Sequence, residues 1–194
     1  ALVLSLMTAG TVSAQSWAPA GDRIRTAWAE EVTPENVHKE YPRPQMVRPE
    51  WKSLNGLWEY SITPKNAAVP EKFDGQILVP FAVESSLSGV GRMLTPEDAL
   101  WYKTTFRVPS AWKGMRLMLN FEAVDWQADV IVNDIQVGRH TGGYTHFSFD
   151  ITPYLKSGDN TLVVRVEDST DNDFQPRGKQ VRTPGGIWYT AVSG

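Results

Sequence analysis

The sequence predicts an all-β domain: an antiparallel sandwich of two sheets with about nine strands, a jelly roll as first choice and an immunoglobulin-like sandwich as second. Three observations carry this. From Trp51 onward, short apolar runs recur between turn signals roughly every ten residues. Within the runs apolar and polar residues alternate with period two, which sends one set of side chains inward. The alternation is one-sided, the mark of antiparallel sheets that keep one face toward water.

The elements follow in order. "NGLWEYSI" and "QILVP" predict the first two strands. In "WYKTTFRVP", Tyr102, Thr104, Phe106 and Val108 share one face, and Lys103, Thr105 and Arg107 the other. In "MRLMLNF", Met115, Leu117, Leu119 and Phe121 point one way. Ala128, Val130 and Val132 lead to an Asn133-Asp134 turn, after which Ile135 and Val137 continue, the pattern of a hairpin. Phe147, Phe149 and Ile151 alternate with His146, Ser148 and Asp150. After the turn "KSGDN", Leu162, Val164 and Val166 alternate with Val163, Arg165 and Glu167, and "IWYTAV" predicts a last strand.

Three stretches divide the chain. Residues 1–14, "ALVLSLMTAGTVSA", read as the second half of a secretory signal with cleavage after Ala14, which predicts a secreted or periplasmic protein. That run is too short to span a bilayer as a helix. Residues 15–50 read as a polar leader on the surface of the fold, with a short amphipathic helix in "RIRTAWAEEV". Residues 51–194 are the sandwich, expected to lack its final strand because the chain reads as a piece of something larger.

The composition narrows the partners. A net charge of −3 over 194 residues gives no electrostatic reason to expect nucleic acid or an anionic membrane. With no cysteine, the fold must hold together by its core. Eight tryptophans suit a core, and equally a surface that stacks on sugars.

The search for chemistry starts at "GRHTGGYTHFSFDIT", Gly138 to Thr152, which holds two of the three histidines. They sit six apart across a Gly-Gly break and lack partners at ligand spacing, so neither metal nor cofactor is expected. The reading is a turn leading into a core strand, with its histidines as bystanders or domain-interface groups. There is no Gly-x-Ser-x-Gly elbow and no phosphate loop. No catalytic residue is assigned. Asp125, in "AVDWQA", lies between two apolar strands beside Trp126, where a buried carboxylate needs partners. It either pins a loop through backbone N–H groups or touches a ligand. Two connections, Pro80–Leu100 and Asp168–Gly186, are too long for hairpins and carry groups suited to hydrogen bonding. The candidate substrate-binding residues are Glu84 from the first, Asp125 and Trp126, and Arg177 and Gln180 from the second.

Six stretches in order, "SLNGLWEYS", "VPFAVESSLSG", "LWYKTTFRVP", "LNFEAVDWQADVIVNDIQVGRHTGGYTHFSFDIT", "GDNTLVVRVED" and "GGIWYTAVSG", resemble the N-terminal sugar-binding domain of family-2 glycoside hydrolases. The resemblance covers about Trp51 to Gly194. It implies a jelly roll followed, in the parent enzyme, by an immunoglobulin-like domain and a (β/α)₈ barrel that carries the two catalytic glutamates. By that resemblance the chain alone is inactive, and its parent cleaves β-linked glycosides with retention. In some relatives an Asn after the "VPS" motif touches substrate; Ala82 stands there in "VPFAVES", and the acidic residue before the last strand has no match in "RTPGGIW". The "RGKQ" stretch, Arg177 to Gln180, resembles β-galactosidase-like enzymes of polysaccharide-degrading bacteria.

Two other classes compete. A free-standing carbohydrate-binding module would display Trp101, Trp112, Trp126 and Trp188 as exposed rings along a sheet face. A cell-surface interaction domain of immunoglobulin-like type leaves the long loops without a role.

Overall fold

The computed structural model describes residues 17–172 and 174–193. The expected signal stretch, residues 1–14, lies outside them. Eight strands are present among the described residues: β1 (Gly56–Pro64), β2 (Gly75–Val79), β3 (Asp98–Arg107), β4 (Met118–Phe121), β5 (Gln127–Val132), β6 (Ile135–Thr141), β7 (Phe147–Asp150) and β8 (Asp159–Glu167). They form a six-stranded sheet in the order β2-β1-β3-β8-β5-β6 and a two-stranded sheet, β4-β7, with every pairing antiparallel.

The alternation read from sequence decides what is inside. Tyr102 and Phe106 on β3, Ala128, Val130 and Val132 on β5, and Leu162, Val164 and Val166 on β8 all face one buried cluster, joined by Trp58, Ile77, Leu119, Phe147 and Ile151. Side chains of this kind contribute ~1.5–3 kcal/mol each when fully buried. The β5–β6 hairpin turns at Asn133 and Asp134, with φ of 50° and 68°, the left-handed pair that a two-residue turn needs to match strand twist. Asn133 also pays out its whole side chain: its amide donates to Tyr154 O and Asn160 Oδ1, and its carbonyl accepts from Thr161 N.

The outer face of the large sheet carries a cross-strand row of polar and aromatic groups. Register places Ser61, Trp101, Arg165, Asp129 and Arg139 side by side on β1, β3, β8, β5 and β6. The Arg165 guanidinium lies 5.5 Å from the Trp101 ring centre, and Asp129 accepts from both Arg139 and Arg165. Trp101 and Asp129 are buried on this face. Cross-strand neighbours of this kind fix register as well as adding stability.

Three expectations differ from the structure. "RIRTAWAEEV" holds only a single 3₁₀ turn, Ala27–Glu31. The fourth strand begins at Met118, so Met115 lies in the preceding turn and is exposed. "IWYTAV" forms no continuous strand; it has only isolated bridges, Gly185 to Trp188 and Gln180 to Tyr189. Both faces of that segment are exposed from Gly185 to Thr190, so no sheet supports it.

The small sheet covers only part of the large one. A cleft of about 1150 Å³ remains between them, lined among others by Trp58, Tyr102, Phe106, Leu119, Phe121 and Val164. The leader runs along the surface, tied by Ala20 N to Ser86 O, Arg23 Nη1 to Glu84 O, and Asn55 Nδ2 to His38 O. No helix among the described residues is long and apolar enough to cross a membrane.

Candidate functional site at the loop end of the sheet

Register brings four loop attachments to one end of the large sheet. β3 and β5 begin there and β6 and β8 end there, with Gln127 opposite both Thr141 and Glu167, and Leu100 opposite Val166. The loop before β5 holds Asp125, the β6–β7 turn holds Gly142 and Gly143, and Asp168 follows β8 directly. The β2–β3 loop brings Glu84 within range of Asp125. Two of the residues singled out in the sequence, Glu84 and Asp125, therefore lie close enough for the charge of one to act on the other, as does that of Asp168.

Glu84 is 4% exposed, and its carboxylate accepts both the N–H and the hydroxyl of Ser193. Burial pushes its carboxyl above the usual range, against the Ser193 hydrogen bonds that pull it down. Asp168, 1% exposed, accepts from Thr170 N and the Gln175 amide through Oδ1, while Oδ2 is buried with no partner among the described residues. Burial raises its carboxyl too. Asp125 is partly buried with Oδ1 unpartnered, and burial followed by the charges of Asp168 and Glu84 pushes it up to about 7.

The expectation that Asp125 pins a loop through backbone N–H groups meets a different arrangement. Its carboxyl packs against Gly143: a Cβ built there would lie 2.9 Å from Asp125 Cβ and closer still to the carboxyl. The turn itself is held by Gly142 N donating to Trp126 O, with Gly142 at φ 116°. Trp126, partly buried, in turn donates its N–H to Glu167 O.

The other candidates sit apart from these carboxyls. Arg177 lies with its guanidinium 5.2 Å from the centre of the Trp188 ring and donates to Asp171 O. Gln180 accepts from Val192 N through its side chain. Arg177 and Gln180 thus tie the 171–192 segment to itself. Asp168, Gln175 and Ser193 also stand at this loop end and were missed as site residues. Nothing along the chain distinguishes Asp168 from a solvated turn carboxylate, because only tertiary contact buries it.

The histidines are not both bystanders. His140 stacks on Phe147 at 4.1 Å, and Phe147 on Phe121 at 4.8 Å, an aromatic column that joins β6 to the small sheet. His146 is exposed. The four tryptophans do not form an exposed row on a sheet face. Trp101 is buried beneath Arg165, Trp112 and Trp126 are partly buried outside the strands, and Trp188 is exposed on a loop. Among the described residues no three His, Asp or Glu side chains are grouped to hold a metal ion.

Comparison with known proteins agrees with this architecture. The family described as "Glycosyl hydrolase 2 galactose-binding domain-like" matches residues 92–186. A beta-glucuronidase of Paenibacillus borealis is 31% identical over 146 residues, covering 72% of this chain and 24% of the relative. A beta-galactosidase of Thermoanaerobacter pseudethanolicus is 42% identical over 83 residues, 42% of this chain and 11% of the relative. The structure of Lactobacillus rhamnosus beta-glucuronidase superposes with a TM-score of 0.52 at 32% identity, over 59% of this chain and 20% of that one. A Ruminococcus gnavus β-glucuronidase at 22% identity shares the fold, with a TM-score of 0.52 over 67% of this chain and 24% of that one. The chain spans about a tenth to a quarter of the length of these curated relatives. Across residues 92–186 it carries the galactose-binding-like domain of the family-2 glycoside hydrolases.

Proposed function

We propose that this chain is the N-terminal, non-catalytic domain of an exported enzyme that cleaves β-linked glycosides. The observation that carries the reading is the match of residues 92–186 to the family's galactose-binding-like domain, on a chain that covers a tenth to a quarter of the length of its relatives. In this reading the acid/base and nucleophile lie in other domains of the same polypeptide, and the enzyme's partners are carbohydrate and those domains. The loop end, with Asp125, Trp126, Glu84 and the 171–192 segment, walls one side of the sugar pocket. Arg177 and Gln180 shape that wall, and the exposed Trp188 beside Arg177 is its stacking face. The cleft between the sheets takes a further strand of the same polypeptide, completing a jelly roll, because its lining is apolar core. The residues at 1–14 supply the export signal.

The absence of an exposed tryptophan row weighs against a free-standing binding module. The test compares two purified proteins on chromogenic β-galactosides and β-glucuronides: residues 15–194, and the product of the complete reading frame. The reading expects turnover only from the second. Hydrolysis by the first, or a reading frame that stops at Gly194, overturns it.

A further inference from the structure

Between Ala27 and Glu40 the leader folds into a tight, internally bonded turn. Thr33 N donates to Asn36 Oδ1 at 2.7 Å, and Asn36 N donates back to Thr33 Oγ1 at 3.3 Å, a reciprocal pairing of the capping-box kind. Asn36 Nδ2 donates to Glu31 O at 2.7 Å, and Val37 N to Thr33 O at 3.1 Å. Ala29 and Val37 are buried and anchor the turn to the domain. His38 then takes a φ of 40°, in the left-handed region, and Asn55 Nδ2 holds it there by donating to His38 O. A non-glycine residue keeps such a conformation only where its surroundings over-determine it, as they do in binding sites. The turn borders a cavity of about 240 Å³, walled by Trp28, Glu31, Asn36, His38 and Glu40 from the leader and by Phe81 from the β2–β3 loop. Phe81 follows β2 where Val79 pairs with Gly56, whereas the loop end lies at the start of β3, where Asp98 pairs with Pro64. The cavity is therefore at the opposite end of the large sheet.

Two kinds of wall meet there. Trp28 leaves 74% of its surface open, and Phe81 and His38, with ring centres 6.0 Å apart, extend the aromatic side. The polar side is made of acceptors: the exposed Glu31 carboxylate, and Glu40, which holds His38 Nδ1 at 3.3 Å through one oxygen and keeps the other for a ligand. A pyranose presents the complement of both, an apolar C–H face for a ring and adjacent hydroxyl donors for carboxylates. The volume falls below the ~300–1,000 Å³ of pockets for drug-sized ligands, which suits one sugar ring rather than a chain. An organic cation fits less well, because Glu40 already faces the His38 ring and Glu31 alone is left to meet a charge. We propose that this cavity is a second carbohydrate site, which holds one neutral pyranose ring stacked on Trp28 and hydrogen-bonded through its hydroxyls to Glu31 and Glu40. It depends neither on the loop end nor on a catalytic parent.

The experiment titrates the whole chain, labelled with nitrogen-15, with methyl β-D-galactopyranoside, methyl β-D-glucopyranoside and methyl β-D-glucuronide, and follows the indole N–H of Trp28 by NMR. Trp28→Phe identifies that signal by its loss. At least one of the two neutral glycosides is expected to move it along a saturating curve, and the glucuronide, whose carboxylate meets Glu31 and Glu40, to bind more weakly. Trp28→Ala should raise the Kd, read from the backbone signals of Glu31 and His38, by about tenfold or more. Glu31→Gln should raise it by about threefold or more. Both residues are exposed, so both variants should fold, and an unchanged Tm checks that they have. A Trp28 signal that neither neutral glycoside moves overturns the site. So does movement by choline but by neither sugar, which would assign the cavity to an organic cation. A glucuronide that binds as tightly as the neutral sugars, or a Kd that Trp28→Ala leaves unchanged, also refutes the proposal. Turnover by the complete reading frame plays no part in these outcomes, so they stand or fall apart from the enzyme reading.

Discussion

Gly138 sits in the middle of β6, where the backbone does not require glycine: its φ is not in the left-handed region. The reason for it is Phe149. A Cβ at 138 would lie 2.6 Å from Phe149 Cδ1 and Cζ, and closer still to Cε1. Ordinary carbon–carbon contact is about 3.5–4.0 Å, so Gly138→Ala forces the ring back by roughly 1–2 Å. That ring packs edge-on against Phe147 at 5.8 Å, which itself stacks on Phe121 and His140, so there is little room to retreat. Overpacking of this kind costs ~1–3 kcal/mol, and the better strand propensity of alanine returns ~0.5–1. The net expectation is a loss of about 1–2 kcal/mol, seen as a Tm lower by roughly 2–8 °C for a chain of this size. Thermal unfolding followed by circular dichroism reads it directly. The specific claim is the pairing, so the assay is a double-mutant cycle with Phe149→Leu. The narrower side chain should relieve the clash, making the pair non-additive by more than about 0.5 kcal/mol. A Gly138→Ala protein as stable as the parent, or a cycle that adds within that margin, refutes the reasoning.

Asp129→Ala should cost ~1–3 kcal/mol, because it removes the buried carboxylate that accepts from Gln136, Arg139 and Arg165, while Arg165 keeps Glu167 as a partner, and the chemical-denaturation midpoint should fall with m unchanged. Asp159→Asn, at the fully exposed ion pair with Arg107, should leave the same midpoint where it was, and a comparable fall there would contradict the weighting of buried over exposed pairs. Leu100→Ala, at a fully buried core position on β3, should lose ~2–5 kcal/mol by the same measurement. Asp134→Gly, at φ 68° in the β5–β6 turn, should gain up to ~1 kcal/mol, and a loss would mean that the Asp134 side chain has a role in the turn.

Much of the fold was legible because it is local. The period-two alternation in Leu162–Val166 and Ala128–Val132, and the Asn-Asp turn at 133–134, depend on neighbours along the chain, and β5, β6 and β8 formed where they pointed. Where the fold departs from expectation, local pattern was not the deciding force. "IWYTAV" has a strand's alternation, but no sheet edge lies beside it to supply hydrogen bonds, and it stays a pair of bridges. "RIRTAWAEEV" is too short to nucleate a helix alone, and its apolar Ile24 and Trp28 stay exposed without docking, so only one 3₁₀ turn remains.

The stretch "GRHTGGYTHFSFDIT" divides the two kinds of information most sharply. Its own residues determined that a turn leads into an inward-facing strand of Phe147, Phe149 and Ile151, since chirality, glycine freedom and alternation act over a few bonds. What each glycine is for was decided in three dimensions. Gly142 serves the backbone, Gly138 makes room for the Phe149 ring, and Gly143 makes room for the Asp125 carboxyl. Likewise Glu84 and Asp125 stood out by type and neighbourhood, whereas Asp168 came near Asp125 only when register brought the end of β8 beside the start of β5. Burial and the Coulomb field depend on which atoms are near in space, and distance along the chain carries no record of that.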